Sequence, residues 1–169
     1  DKDKSVIWRG PMVSNAIIQL FTQTNWNDID YMIVDFPPGT GDAQITILQR
    51  FQIDGAIIVT TPQILSLNDA RRGTEMLVNN QINVPLIGVV ENMSWFTPLE
   101  HPDEKYYIFG EKGGMALAEE FSVPLLCQIP LIQGVGRQAE KGDSFDSLDN
   151  LQVKDIFSSL SESVVSFLK

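Results

Sequence analysis

The sequence predicts an α/β fold, a parallel sheet flanked by helices. Short β-rich apolar runs alternate with segments of helical period, the runs are apolar on both faces as buried parallel strands are, and each is followed by a polar or Pro-containing loop. In chain order, Met12, Val13, Ala16, Ile17, Leu20 and Phe21 share one helical face, so residues 11–22 read as a helix with Pro11 in its first turn. Residues 31–34 follow as the first strand, and residues 43–51 as a helix. After a second strand at 56–59, Ser66 and Asp69 resemble a capping box with Asp in place of Glu and open a helix over 67–80, which Asn83-Val84-Pro85 ends. Residues 86–90 and 125–129 complete the strands, with a helix over 113–121 between them. Beyond a polar linker at 144–150, Ile156, Leu160, Val164 and Phe167 recur at helical spacing in a last helix over 151–168.

Composition narrows the function classes. The chain has 169 residues, 43% hydrophobic, which suits one globular domain with a sizeable core. Twelve basic against 22 acidic residues give a net charge of −10 with no basic cluster, which argues against nucleic-acid or anionic-lipid partners. Cys127 is the single cysteine, so a disulfide framework and a local Cys-x-x-Cys metal site are excluded within one copy, and a lone thiol suits a reducing cytoplasm. No apolar run approaches the ~20 residues that span a bilayer, and the start Asp1-Lys2-Asp3-Lys4 has no signal-peptide character. The absence of an initiator Met predicts processing or a piece of a longer protein. The last helix, with Asp155 and Glu162 against Lys154 and Lys169, has no cationic face, so packing onto the domain is expected over a membrane foot.

The stretch from Asp30 to Asp42, DYMIVDFPPGTGD, ends an apolar strand in a carboxylate and runs into a Pro/Gly-rich loop. Ligands of open α/β sheets bind beyond the carboxyl ends of the strands, so Asp35 is placed to hold Mg²⁺ directly or through a water, as a Walker B carboxylate does. Gly39 and Gly41 let the backbone approach a phosphate and change conformation when the γ-phosphate leaves, while Pro37 and Pro38 stiffen the loop's first half. Asp42 admits two readings, a cap for the helix that follows or a residue that positions water.

DFPPGTGD, with VTTPQ at Val59 to Gln63 and GVVENMS at Gly88 to Ser94, resembles the Mrp/ApbC family of ATP-binding proteins, which belongs to the deviant Walker A group of P-loop ATPases alongside MinD and ParA. The similarity runs from VIWRGPM at Val6 to Met12 through KYYIFGEKGG at Lys105 to Gly114 and on to QIPLIQ at Gln128 to Gln133. The resemblance implies a MinD-like P-loop NTPase fold that binds ATP with Mg²⁺ and hydrolyses it slowly. It also implies a homodimer in the cytoplasm that carries or assembles iron–sulfur clusters for apoprotein clients. It makes Asp35 the Walker B carboxylate, and Gly39, Thr40, Gly41 and Asp42 the switch II segment at the nucleotide. Asn92 reads the adenine edge, and Pro130 and Leu131 border the base. An Asn amide can both donate to and accept from adenine; a turn residue after Val90 is the plainer reading of Asn92, and a strand terminator that of Pro130. Thr60, Thr61 and Pro62 match the loop near the nucleotide or the dimer partner. Arg9 meets a phosphate or a partner carboxylate, or is simply solvated.

Two departures qualify the resemblance. The Gly-rich turn followed by Lys and Ser/Thr that cradles phosphates, carried upstream in the family, is nowhere in these residues, and Gly39-Thr40-Gly41 cannot replace it. Residues 1–169 are therefore expected to be the C-terminal part of a single P-loop ATPase domain, inactive alone, with 151–169 as its terminal packing helix. The Cys-x-x-Cys that many members carry after the ENMS segment is replaced by SWFTPLEHPDEKYYIFG, which leaves no iron–sulfur ligands: His101 is the one imidazole there, and Cys127 among Leu125, Leu126 and Ile129 reads as core. Tyr106, Tyr107 and Phe109 read as core or interface. Two other outputs stand beside cluster carriage. One is a nonenzymatic, nucleotide-switched interaction protein of the MinD or ParA kind, which calls for a basic lipid or DNA face that this acidic chain lacks. The other is a scaffold fragment without nucleotide chemistry.

Overall fold

The computed structural model describes residues 10–36, 41–98, 100–132 and 151–169. Among them, β1 (Ala56–Thr60), β2 (Leu86–Asn92) and β3 (Leu125–Ile129) form one parallel sheet in the order β1-β2-β3. The helices are α1 (Gly10–Gln23), α2 (Asp42–Arg50), α3 (Ile64–Val78), α4 (Gly113–Glu120) and α5 (Leu151–Leu168). Helices α3 and α4 join neighbouring parallel strands in two successive βαβ units, which lays both on one face of the sheet. There Leu77 of α3 and Leu117 and Ala118 of α4 pack with Ile58 and Val89, and Leu48 of α2 joins the same core. Helix α5 packs against β3, with Val153 fully buried and the half-exposed Phe167 beside Ile87 and Leu126.

The β2–β3 pairing contains an irregularity that sets up the carboxyl end of the sheet. Val89 pairs with Leu125 but Val90 pairs with Cys127, so Leu126 is an extra residue on β3. Gly88 makes room for it: a Cβ there would lie 2.6 Å from both Leu126 Cγ and the Pro124 carbonyl oxygen. That carbonyl accepts the Val89 N–H at 2.9 Å.

Three expectations are corrected. The strand expected at 31–34 does not form; residues 31–36 lie outside any helix or strand, and Ile33 is 94% exposed. A strand apolar on both faces is stable only between partners, and among the described residues none pairs with it, while β1 is the edge of the sheet. Asp35 accordingly stands on an unpaired segment, although Phe36 beside it packs against the core. Helix α3 begins at Ile64 with Gln63 as its N-cap, so Ser66 is inside the first turn, where its hydroxyl accepts from Thr61 Oγ1 at 2.9 Å. Finally, Asp42 is the first residue of α2 and its N-cap is Gly41, whose N–H donates to the Gln44 side chain; the capping reading of Asp42 is set aside. Pro37, Pro38, Gly39, Thr40, Arg9 and the linker at 144–150 lie outside the described residues.

Candidate functional site

Asn92 is the last residue of β2. Its Oδ1 accepts the N–H of Met93 at 2.9 Å, and Met93 turns into the left-handed region at φ 55°. With one lone pair of the oxygen engaged and its orientation set, the carboxamide keeps a second lone pair and its NH₂, a donor suited to a ring nitrogen or carbonyl. The ladder between β2 and β3 continues past both strand ends: Ser94 N–H donates to Ile129 O at 3.0 Å, and Leu131 N–H to Trp95 O at 2.7 Å. Pro130 is buried between these two bonds. Asn92, Pro130 and Leu131, three residues expected from the sequence to surround a base, are thus brought together at the carboxyl edge of one strand pair.

The end of β1 lies alongside. Thr60 is buried and donates to Thr61 O, Thr61 donates to Ser66, and Pro62 is buried against the start of α4, where a Cβ on Gly113 would lie 2.9 Å from Pro62 O. The carboxylates stand apart from this group. Asp42 is exposed at the N-terminus of α2, where the helix dipole favours a negative charge, and its Oδ2 lies over Gly10 at the start of α1. The Ser14–Thr46 hydroxyl bond at 2.8 Å and the stacked rings of Phe21 and Phe51, 4.5 Å between centroids, join α1 to α2. Among the described residues, no hydrogen bond or ion pair ties Asp35 or Asp42 to Asn92, Pro130 or Leu131.

Asp35 is exposed and makes no ion pair or hydrogen bond among the described residues, so its hard oxygens are free to serve as one Mg²⁺ ligand. No group of three or more His, Cys, Asp or Glu able to hold a metal occurs among the described residues. His101 is exposed, with Nδ1 3.6 Å from Glu104. Cys127 is half-buried on β3, and burial pushes its thiol up from the ordinary value, away from the thiolate that metals require. Tyr106 and Tyr107 are exposed, so of the two readings, core or interface, the core one does not hold for them. Lys105 instead stacks over Trp95, 4.0 Å from the ring centroid.

Glu91 and Gln128 were not singled out by sequence. Glu91 is 1% exposed; its Oε2 accepts the Gly114 N–H at 2.6 Å and its Oε1 accepts from Gln128 Nε2 at 2.7 Å. The available signal was a lone carboxylate inside the apolar run GVVEN, next to the residue expected at the base.

The sequence matches the ParA family, described as NUBPL iron-transfer P-loop NTPase, over residues 1–165. An iron-sulfur cluster carrier protein of Synechocystis is 51% identical over 142 residues, 84% of this chain and 40% of the relative. Its counterpart in Pyrococcus horikoshii is 40% identical over 168 residues, 99% of this chain and 56% of the relative. An Arabidopsis thaliana iron-sulfur protein required for mitochondrial NADH dehydrogenase is 42% identical over 84% of this chain and 44% of its own length. The chain therefore spans about half the length of the curated relatives it matches. Among solved structures, a nucleotide-binding protein of Archaeoglobus fulgidus in complex with ADP superposes with a TM-score of 0.67 at 31% identity, over 77% of this chain and 52% of that one. A match over nearly the whole length, on a parallel α/β sheet of P-loop NTPase type, places the chain in the ParA/NUBPL group of iron-transfer P-loop NTPases, the Mrp/ApbC family.

Proposed function

We propose that this chain is the C-terminal part of an ATP-binding, slowly hydrolysing P-loop protein that carries iron–sulfur clusters to apoprotein clients in the cytoplasm, acting as a homodimer. The observation that carries the reading is the pinned edge on which Asn92, Pro130 and Leu131 meet, in a chain similar to an ADP-binding structure. The amide NH₂ of Asn92 donates to an acceptor on the adenine edge, and the Pro130–Leu131 backbone borders the ring. Asp35 would hold Mg²⁺, directly or through a water, and the ion would supply charge neutralisation at the phosphates. Gly39, Thr40, Gly41 and Asp42 form the switch, with Asp42 orienting the attacking water. The phosphate cradle belongs to an upstream half, whose first strand would pair with the open edge of β1 and with residues 31–34. The relatives' greater length and the unpaired apolar segment both support that division.

The cluster is cargo, and thiolates, only occasionally imidazoles, hold such clusters. This chain offers one cysteine, half-buried and with a raised thiol, so the ligands in the proposed carrier lie outside residues 1–169. The lipid-binding alternative draws no support from α5, whose residues pack on β3, and no helix among the described residues is long and apolar enough to cross a membrane.

The test is Mg-ATP binding by calorimetry and phosphate release by the full-length gene product, with and without Asp35→Ala. Loss of Mg-dependent binding and turnover is expected, and unchanged values would remove Asp35 from the metal site.

A further inference from the structure

We propose that Glu91 is a positioning residue for the base side of the nucleotide site, a role that rests on the reading of Asn92, Pro130 and Leu131 given above. Its carboxylate is buried to 1% exposure, and both bonds it accepts come from uncharged donors, the Gly114 N–H and the Gln128 amide. Its own carbonyl accepts the Ser94 hydroxyl at 2.8 Å. A buried carboxylate is costly to desolvate, and a hydrophobic residue of similar volume would serve stability as well or better. What an apolar side chain cannot do is specify which residue of β3 stands opposite.

That specification matters at this position. Past the extra residue Leu126, the pairing must resume in one register, Glu91 opposite Gln128 and Asn92 opposite Ile129. A slip of one residue would exchange the two faces of β3 and move Pro130 relative to Asn92. Glu91 and Gln128 face each other on the α4 side, one residue ahead of Asn92, and their side-chain bond fixes the resumed register. The second bond ties the same carboxylate to the first turn of α4, so close that a Cβ on Gly114 would lie 2.7 Å from Glu91 Cβ. Helix α4 in turn abuts Pro62 through Gly113, so one buried carboxylate connects the ends of β2 and β3 to the loop after β1.

The experiment compares binding of ATP and of tripolyphosphate, which lacks a base, to the full-length protein. Glu91→Ala should weaken ATP binding by about tenfold while tripolyphosphate stays within about twofold, since the two bonds lost hold the ends of β2 and β3, where the base side is read. Glu91→Gln should recover ATP affinity to within about threefold, because its oxygen still accepts from Gly114 and its NH₂ donates to a rotated Gln128 amide. Should Glu91→Ala fail to fold, Gln128→Met, which removes one donor and leaves the other, decides by the same ratio. Equal losses for both ligands, or no loss for either, would overturn the proposal as a merely structural or dispensable role. Asn92→Ala separates the two levels of inference. If it lowers the ATP-to-tripolyphosphate ratio and Glu91→Ala does not, only the Glu91 role falls; if wild type binds ATP no better than tripolyphosphate, the base-side reading fails and takes this proposal with it.

Discussion

Replacing Gly88 with Ala tests whether the irregular register of β2 and β3 is built around a missing side chain. The added Cβ would sit 2.6 Å from Leu126 Cγ, 2.6 Å from Pro124 O and 2.9 Å from Leu126 Cδ2. A flexible side-chain tip can withdraw from such a contact, but Pro124 O is backbone and is held by the Val89 N–H at 2.9 Å. Overpacking of this kind costs about 1–3 kcal/mol, the strained or lost hydrogen bond about 0.5–1.5, and reduced freedom of the unfolded chain returns about 0.4–1. The balance centres on a loss of about 2 kcal/mol, which lowers the urea midpoint by about 1 M for a slope of about 2 kcal/mol per M. Gly73→Ala is the matched control, because Gly73 lies inside α3 with nothing within 4 Å of its virtual Cβ. There the helix-propensity gain of up to about 1 kcal/mol should raise the midpoint. Urea titration followed by circular dichroism reads both. A Gly88→Ala midpoint at or above wild type, with Gly73→Ala raised as expected, would mean that β3 relaxes around the new methyl and that the register is not fixed by that close approach.

Hydrogen bonds from Arg71 hold the Glu120 carboxyl below its usual range, so the pair's contribution is present above the unfolded carboxylate pKa and is lost as pH falls through the folded one. Melting curves from pH 7 to pH 3 should show wild type above Glu120→Gln at neutral pH, with the gap closing on the acid side. Burial raises the Cys127 thiol, so the folded chain binds that proton more tightly and loses stability as pH rises past the unfolded thiol value of about 8.5. Iodoacetamide at pH 7.5 should accordingly label Cys127 at least about tenfold more slowly in the folded chain than in urea. Amide exchange should be fast across residues 31–36 in this chain and slow across β2, and protection of 31–36 in the full-length protein would support a pairing strand from the upstream half.

Periodicity carried most of the fold. The strands at 56–59, 86–90 and 125–129 and the helices around them were legible because each has its own apolar pattern and its partners lie within the chain. The segment 31–34 has the same pattern and forms no strand, since a pattern states what a segment could bury and not whether a neighbour is there to pair with it. Ser66 misled for a related reason: a hydroxyl followed three residues on by a carboxylate marks a helix start, but Thr61 engages that hydroxyl from before the helix, and the backbone turns in at Gln63. At the candidate site, Asn92, Pro130 and Leu131 could be singled out by motif, and the structure brings them to one strand-pair edge. Glu91 touches only protein, and its role became visible once the extra residue Leu126 and the facing Gln128 were in place.

The two sides of the candidate site are held by different physics, which sets how each should respond to nucleotide. The base side hangs on ladder bonds, a buried carboxylate and a buried proline between two parallel strands, all of it already paired. In the proposed function such an edge would bind without rearranging and so should add affinity without adding a switch. In the proposed function the metal would be held by Asp35, on an unpaired, exposed segment, and water oriented by Asp42, at a helix start whose dipole favours negative charge. Ordering such a segment costs conformational entropy that only a bound phosphate and its cation, or a pairing strand, can offset. A ligand shifts a conformational equilibrium only by its difference in affinity for the two states, and here that difference resides in the phosphate end of the nucleotide. In the proposed function, adenine recognition at Asn92 therefore fixes where the nucleotide sits, while loss of the γ-phosphate is felt at Asp35, on its unpaired segment, and at Asp42.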